Sequence, residues 1–232
     1  LSLTFADDMW KAYFDLRPDH RAQLPNQLPT FNGTVVTPST LDGTFTVIID
    51  KQYFIDDVNA ERASWIGTIV HETTHARDYQ EYAKLVGASN YDEVLDTSKH
   101  RMFHLWTEFN AKRHGYYFVR KYTFDNLNDI TQIPDILNIE LPGQISYMTE
   151  QYSSTTDGWE QIYTVSQFLG RLAVWEGLFP EQFNLKFVEA LLSTNSWMFD
   201  MYIYLNTHRE LSTAIDSFDD LREIVRGNFQ GV

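Results

Sequence analysis

The spacing of apolar residues along the chain predicts many helices and one clear strand. The strand is expected at 44–50, where β-branched residues follow the turn residues Asp42 and Gly43. Elsewhere, apolar side chains recur every three to four positions, which is the period of an amphipathic helix. The helices predicted on this basis span 5–16, 59–86, 97–120, 159–175, 180–192, 197–206 and 217–226.

Prolines, glycines and capping residues divide this pattern into elements. Four of the seven prolines fall within 18–38, which predicts an extended loop. Asn59 is a candidate N-cap for the helix that Gly87 would end. The segment 124–143, with two further prolines, is expected to be a loop-rich connector. The whole pattern predicts an α+β fold, with a small, mostly antiparallel sheet, a pair of long helices and a largely helical C-terminal half.

Composition limits the classes of function. The chain has 232 residues, 43% of them hydrophobic and 15% aromatic, so it can bury a sizeable core. Its formal net charge of −14 repels phosphate backbones, and we expect no nucleic-acid partner. Since the chain has no cysteine, any metal must be held by His, Asp or Glu. No apolar stretch approaches the ~20 residues of a membrane span, so we expect a soluble protein, with secretion left open and the oligomeric state not predicted.

The segment His71-Glu72-Thr73-Thr74-His75 lies in the middle of the helix predicted at 59–86. Residues four apart lie on one face of a helix, so the two imidazoles can share one metal ion. Glu72 lies beside the pair, where its carboxylate can take a proton from a water on the metal. Chance produces this pattern roughly once in a hundred chains of this length and composition. The competing interpretation is two surface histidines near an acidic residue.

A catalytic zinc site uses three protein ligands, so a third ligand is expected downstream. Asp78 and Glu81 share the helix of the histidine pair, and a helix does not easily bend a later turn back to the same ion. A second helix can instead present a carboxylate to the pair. Glu108 lies in the next long helix, near Ala111 and Gly115, whose small size allows close approach. The other downstream candidates are Asp92, Glu93, Asp96, His100, His104 and His114, of which His104 is the main alternative.

These residues resemble the zincin metallopeptidases and, within them, the gluzincins, which have a downstream Glu ligand. The resemblance rests on 71–76, on Asp78 and the tyrosine after it, and on Glu108, and it covers about 44–120. The metzincin class is excluded, because the positions of its glycine and third histidine hold Asp78 and Glu81. Thermolysin-like enzymes carry an Asp four residues after the ligand Glu, and here that residue is Lys112.

The resemblance implies a zincin-like fold in which His71, His75 and Glu108 bind Zn2+ and Glu72 is the general base. It implies a zinc-dependent metallopeptidase that hydrolyses peptide bonds through metal-activated water, with a peptide or protein as its substrate. The strand at 45–49 would be the sheet edge to which an extended substrate adds.

Several alternatives remain open on the sequence. The function could instead be hydrolysis of another amide by zinc, or binding by a non-catalytic module of the same fold. Residues 1–143 would form the metal-binding region, and 144–232 a helical lobe packed as one unit with it. Asp78 and Asp157 are candidates to accept the second N–H of a ligand histidine. The candidate donors to a substrate oxyanion are His114, Tyr116, Tyr117 and His208.

Overall fold

The computed structural model describes residues 1–22, 31–95, 97, 99–125, 133–181, 183–184, 188–189, 192 and 196–226. Contact density divides the chain into two compact units. The first comprises Leu1–Thr97 and His114–Thr123, and the second comprises Ser98–Arg113 and Phe124–Val232. The sequence-based division at residue 143 stays a prediction.

Strands β1 (Ser2–Ala6), β2 (Gly33–Val36) and β3 (Thr46–Asp50) form a mixed sheet in the first unit. The strand order is β1-β3-β2, with β1 parallel and β2 antiparallel to β3. The prediction of a mostly antiparallel sheet is therefore wrong. The chain leaves β1 and returns to β3 through a long connection that contains β2, and such a connection allows parallel pairing where a hairpin would not.

Strand β3 is the central strand of this sheet. Its residues Val47, Ile48 and Ile49 are no more than 1% exposed. Burial on both faces explains why the sequence here is a continuous apolar run rather than an alternating one. The strand itself was predicted correctly, but the prediction that it forms the sheet edge is wrong, because β1 and β2 are the outer strands.

Residues 2–6 form β1 rather than belonging to the helix predicted at 5–16. Helix α1 spans Met9–Leu16, and its start is fixed by Asp8, whose side chain accepts a hydrogen bond from the backbone N–H of Lys11 at 2.9 Å. The acidic cap satisfies one of the N–H groups that the first turn of a helix leaves without a partner. The aromatic residues of this segment recur at helical spacing, so the sequence pattern does not show where the strand ends and the helix begins.

Helix α2 spans Lys51–Asn59, and α3 (Ser64–Val86) is the first of the two predicted long helices, beginning five residues later than predicted. Asn59 ends α2, so the prediction that it caps the longer helix is wrong. The buried carboxylate of Asp57 accepts a hydrogen bond from the backbone N–H of Trp65 at 2.9 Å. An acidic side chain from the preceding helix thus provides an acceptor for a backbone N–H in the first turn of α3.

Gly87 ends α3 as predicted, with a φ of 68°, a backbone conformation that favours glycine. Helix α4 (Tyr91–Leu95) follows, and then the second long helix, α5 (His100–Asp125), which was also predicted. Helix α5 contributes residues to both units, since its residues His114–Thr123 belong to the first.

Helices α3 and α5 approach each other closely where two glycines meet in the first unit. A Cβ atom added at Gly67 would overlap the side chain of Val119. One added at Gly115 would overlap the carbonyl oxygen of Gly67 and would lie 3.1 Å from Cβ of His71. The lack of side chains at both positions lets the two backbones come this close. The contact places α5 against the turn of α3 that carries His71.

The described elements of the second unit are helices. Beyond α5 these are α6 (Ile133–Ser154), α7 (Gly158–Leu178), α8 (Ser196–Thr207), α9 (Leu211–Ala214) and α10 (Phe218–Arg226). From residue 133 the predicted connector is helix α6, with Pro142 in its interior, so a loop was wrongly predicted there. An interior proline removes one helical hydrogen bond and crowds the carbonyl four residues earlier, and α6 nevertheless continues on both sides of Pro142. Within the helix predicted at 180–192, residues 182, 185–187, 190 and 191 lie outside the described residues.

Helices α5 and α7 pack tightly within the second unit. The hydroxyl of Ser166 donates a hydrogen bond to the carbonyl of Leu105 at 2.7 Å, and both residues are fully buried. A Cβ atom added at Gly170 would lie 2.6 Å from the carbonyl oxygen of Phe109. These two contacts fix the spacing of the helices along one face.

The elements confirm an α+β fold, with a small N-terminal sheet and a largely helical remainder. Among the helices that can be described, none combines the length and the hydrophobicity needed to cross a bilayer.

The contact between Gly67 and Gly115 predicts that Gly115→Ala destabilises the protein by about 1–3 kcal/mol, because the new methyl group must push apart two helix backbones. Urea unfolding would measure this change. The matched control is Gly143→Ala in α6, where an added Cβ meets nothing within 4 Å. This control should stabilise the protein by up to about 1 kcal/mol through helix propensity. Equal effects of the two substitutions would contradict the role given to the contact.

Candidate metal centre

Helix α3 brings the imidazoles of His71 and His75 together. Their Nε2 atoms lie 3.0 Å apart, and the two rings meet edge to face with centroids 4.6 Å apart. Two nitrogens that share a tetrahedral zinc ion lie about 3.3 Å apart when each bond is about 2.05 Å long. The one-turn spacing predicted from sequence therefore produces two convergent ligand atoms.

Glu108 is the third member of this group. It lies on the same continuous helix as Gly115, about two turns earlier, and Gly115 contacts the turn of α3 that carries His71. One ligand atom from each of His71, His75 and Glu108 lies within 4.8 Å of the other two. His75 is 8% exposed and Glu108 only 1%. Two imidazoles and a carboxylate at these distances could hold a metal ion.

His104, the alternative third ligand, lies outside this group. Among the described residues, neither cluster of candidate metal ligands contains it. Its ring is stacked on those of Trp159 and Tyr163, with centroids 6.0 Å and 5.3 Å apart. The imidazole of His104 thus packs against α7 within the second unit.

Tyr163 is a residue of the site that sequence analysis did not find. Its hydroxyl donates a hydrogen bond to Oε2 of Glu108 at 2.7 Å. The contact joins α7 to α5, 55 positions apart in the chain. Nothing in the sequence specifies which residue of a later helix faces Glu108, although the packing of α7 on α5 determines it.

Glu72 lies beside the histidine pair and is 8% exposed. Its Oε1 lies 3.9 Å from Nε2 of His71, the nitrogen that also faces His75. Strand β2 approaches it from the other side: a Cβ atom added at Gly33 would overlap the methyl group of Thr68 and lie 3.4 Å from Cγ of Glu72. Glu72 therefore lies close to Gly33 of β2, with its carboxylate near the convergent nitrogens.

The residues proposed for supporting roles have different surroundings. Asp78 is fully buried one turn after His75, and its Oδ1 accepts hydrogen bonds from the Arg77 side chain at 2.7 and 3.0 Å. Asp157 is the N-cap of α7 and accepts the backbone N–H of Trp159, which engages its carboxylate at a helix start. The four candidate oxyanion donors, His114, Tyr116, Tyr117 and His208, stay predictions.

A second group of candidate ligands, Asp19, His20 and Asp92, lies in the first unit and was not predicted. The guanidinium of Arg17, 3% exposed, lies between its two carboxylates, at 2.8 Å from Asp19 and 2.7 Å from Asp92. The hydrogen bonds from Arg17 lower the pKa of Asp19 to about 2. A cationic side chain of the protein thus already pairs with both carboxylates.

Comparisons of the chain with protein-family models, with curated proteins and with solved structures found no match. The assignment of this centre therefore depends on the residues and their geometry.

The lowered pKa of Asp19 predicts how its contribution to stability depends on pH. Because the folded state holds the carboxylate charged, the contribution is complete above about pH 4 and is lost as the pH falls toward 2. Asp19→Asn should therefore lower the free energy of unfolding near neutral pH by about 1 kcal/mol or less, since the side chain is 55% exposed. The difference from wild type should shrink between pH 4 and 2.

Urea unfolding across this range would test the pH dependence, with Asp42→Asn, in the exposed turn before β3, as the control. A wild-type difference that stays constant down to pH 2 would contradict the coupling between Asp19 and Arg17.

Proposed function

We propose that the chain is a zinc-dependent metallopeptidase of the gluzincin type, in which His71, His75 and Glu108 bind the metal and Glu72 is the general base. The observation that carries the proposal is the position of Glu72, 3.9 Å from a nitrogen of the convergent histidine pair. A structural zinc site has no use for an additional carboxylate at this place, because its four ligands close the coordination shell.

The donor set fits a catalytic zinc ion. Two neutral imidazoles and one carboxylate are a known catalytic ligand set, and they leave a position for water or substrate. In the part of the chain that the structure describes, the group contains three ligands. Burial of Glu108 supports a bound cation as well, because a buried carboxylate is costly unless positive charge or hydrogen bonds compensate it.

Each protein group has a task in the proposed reaction. When bound, zinc supplies Lewis-acid polarisation of the substrate carbonyl and raises the acidity of water. Glu72 accepts the proton of the attacking water and passes it to the amine that leaves. Its Oε1, 3.9 Å from Nε2 of His71, lies close enough to the proposed metal for both transfers.

Strand β2 supports a peptide as the substrate. It is an outer strand of the described sheet, and its first residue, Gly33, lies against Thr68 and Glu72. An outer strand can bind an extended peptide through backbone hydrogen bonds. The proposed sheet edge for the substrate is therefore β2 instead of β3.

We expect elemental analysis to find one zinc ion per chain in the wild-type protein. The zinc should be lost in His75→Ala and in Glu108→Ala, because each variant removes one of three ligands. His20→Ala is the control, since both carboxylates beside His20 already pair with Arg17. Zinc retained by Glu108→Ala would contradict the ligand set, and a wild-type protein that binds no added zinc would contradict the proposed function.

Glu72→Gln should lower peptide hydrolysis by about 10²- to 10⁴-fold while zinc remains bound, because the amide cannot accept the proton. Cleavage of a mixed library of unstructured peptides, followed by mass spectrometry, would provide the assay. Glu81→Gln makes the same change of charge on the same helix and should leave the rate close to wild type.

The same assay distinguishes the alternatives. If the zinc-loaded wild-type protein cleaves another amide but no peptide, it is a zinc hydrolase of another kind and not a peptidase. Zinc-loaded wild type without turnover would favour a binding module.

A further inference from the structure

We infer that Tyr163 is a positioning residue of the metal centre, which orients the carboxylate of Glu108 for the ion, and that His104 supports Tyr163 rather than binding metal. The inference rests on the proposed metal site. It concerns contacts within the second unit, where α5 and α7 pack together.

The hydrogen bond from Tyr163 acts on a carboxylate that is almost completely buried. Glu108 is 1% exposed, and the hydroxyl lies 2.7 Å from its Oε2. A hydrogen bond to a charged acceptor is roughly twice as strong as one between neutral groups. A carboxylate accepts from about four directions, so one bond to Oε2 restricts its rotation and still leaves lone pairs for an ion.

The position of the hydroxyl is determined by how α7 packs on α5. Tyr163, Ser166 and Gly170 lie on one face of α7, at spacings of three and four residues. Ser166 bonds the carbonyl of Leu105, and Gly170 lies against the carbonyl of Phe109. Tyr163 therefore meets Glu108 in the same row of contacts. A mobile side chain could not orient a ligand in this way.

His104 supports the ring of Tyr163 from one side. The planes of the two rings lie 20° apart with centroids at 5.3 Å, and His104 also stacks on Trp159. His104 is one turn before Glu108 on α5, as Trp159 is one turn before Tyr163 on α7. Side chains from neighbouring turns of the two helices thus form a stack of rings. The stack ends at Tyr163, whose hydroxyl donates the hydrogen bond to Glu108.

Tyr163→Phe tests the inference, because it removes the hydroxyl and keeps the ring. We expect its zinc affinity, measured by competition with a chromogenic chelator, to be 10- to 100-fold weaker than that of the wild type, the usual effect of losing a partner of a metal ligand. The visible spectrum of the Co2+-loaded protein should change as well, because it reports the ligand field. Circular dichroism would show that the variant is folded.

Three further variants separate positioning from general stability. Tyr204→Phe removes another buried hydroxyl of the second unit, which lies 2.9 Å from Oγ of Ser217, and its zinc affinity should equal that of the wild type. His104→Phe keeps a flat ring and should retain zinc. His104→Ala removes the support and should bind zinc more weakly than His104→Phe.

Each outcome is decisive. Wild-type zinc affinity and an unchanged Co2+ spectrum in folded Tyr163→Phe would overturn the inference and leave the proposed site standing. Loss of zinc in His104→Phe would make His104 a ligand and overturn it too. Wild-type protein that binds no zinc would overturn the proposed function, and the inference with it.

Discussion

The candidate site depends on one close contact between backbones, that of Gly67 on α3 with Gly115 on α5. No side chain separates the helices at this point, and an added Cβ at Gly115 would overlap the backbone of α3. His71 lies one turn after Gly67, and Glu108 lies two turns before Gly115. The reach of a glutamate side chain is short, so a carboxylate on α5 can join the histidine pair only if the helices are this close.

The same arrangement places ionisable groups where water is scarce. Glu72 and His75 are 8% exposed and Glu108 is 1% exposed. Burying a carboxylate costs roughly several kcal/mol unless hydrogen bonds or positive charge compensate it. Apolar packing around the carboxylate does not provide this compensation. The hydrogen bond from Tyr163 compensates part of this cost at Glu108. A cation at the three ligand atoms would balance the charge directly, and this is the physical reason to expect metal binding to stabilise the fold.

The sequence predicts well what depends on local spacing. The histidine pair, the two long helices and the stop at Gly87 follow from residues close together in the chain, and the structure contains each of them. The boundary near Asn59 was wrong because the buried Asp57 serves the start of α3 from the preceding helix. The sheet edge was wrong because strand order depends on pairing between distant segments, which no local pattern specifies.

Tertiary packing alone explains the remaining parts of the site. Tyr163 has no distinguishing feature in the sequence, and its importance appears only when α7 is placed on α5. The two acidic residues of the site likewise differ less in sequence than in surroundings. Glu108 is held by a hydroxyl on Oε2, which suits a ligand that must keep one orientation. A Cβ atom added at Gly33 would lie 3.4 Å from Cγ of Glu72, whose Oε1 lies 3.9 Å from Nε2 of His71. The two buried glutamates beside the same histidines thus differ in their surroundings, and this difference comes from tertiary packing rather than from the local sequence.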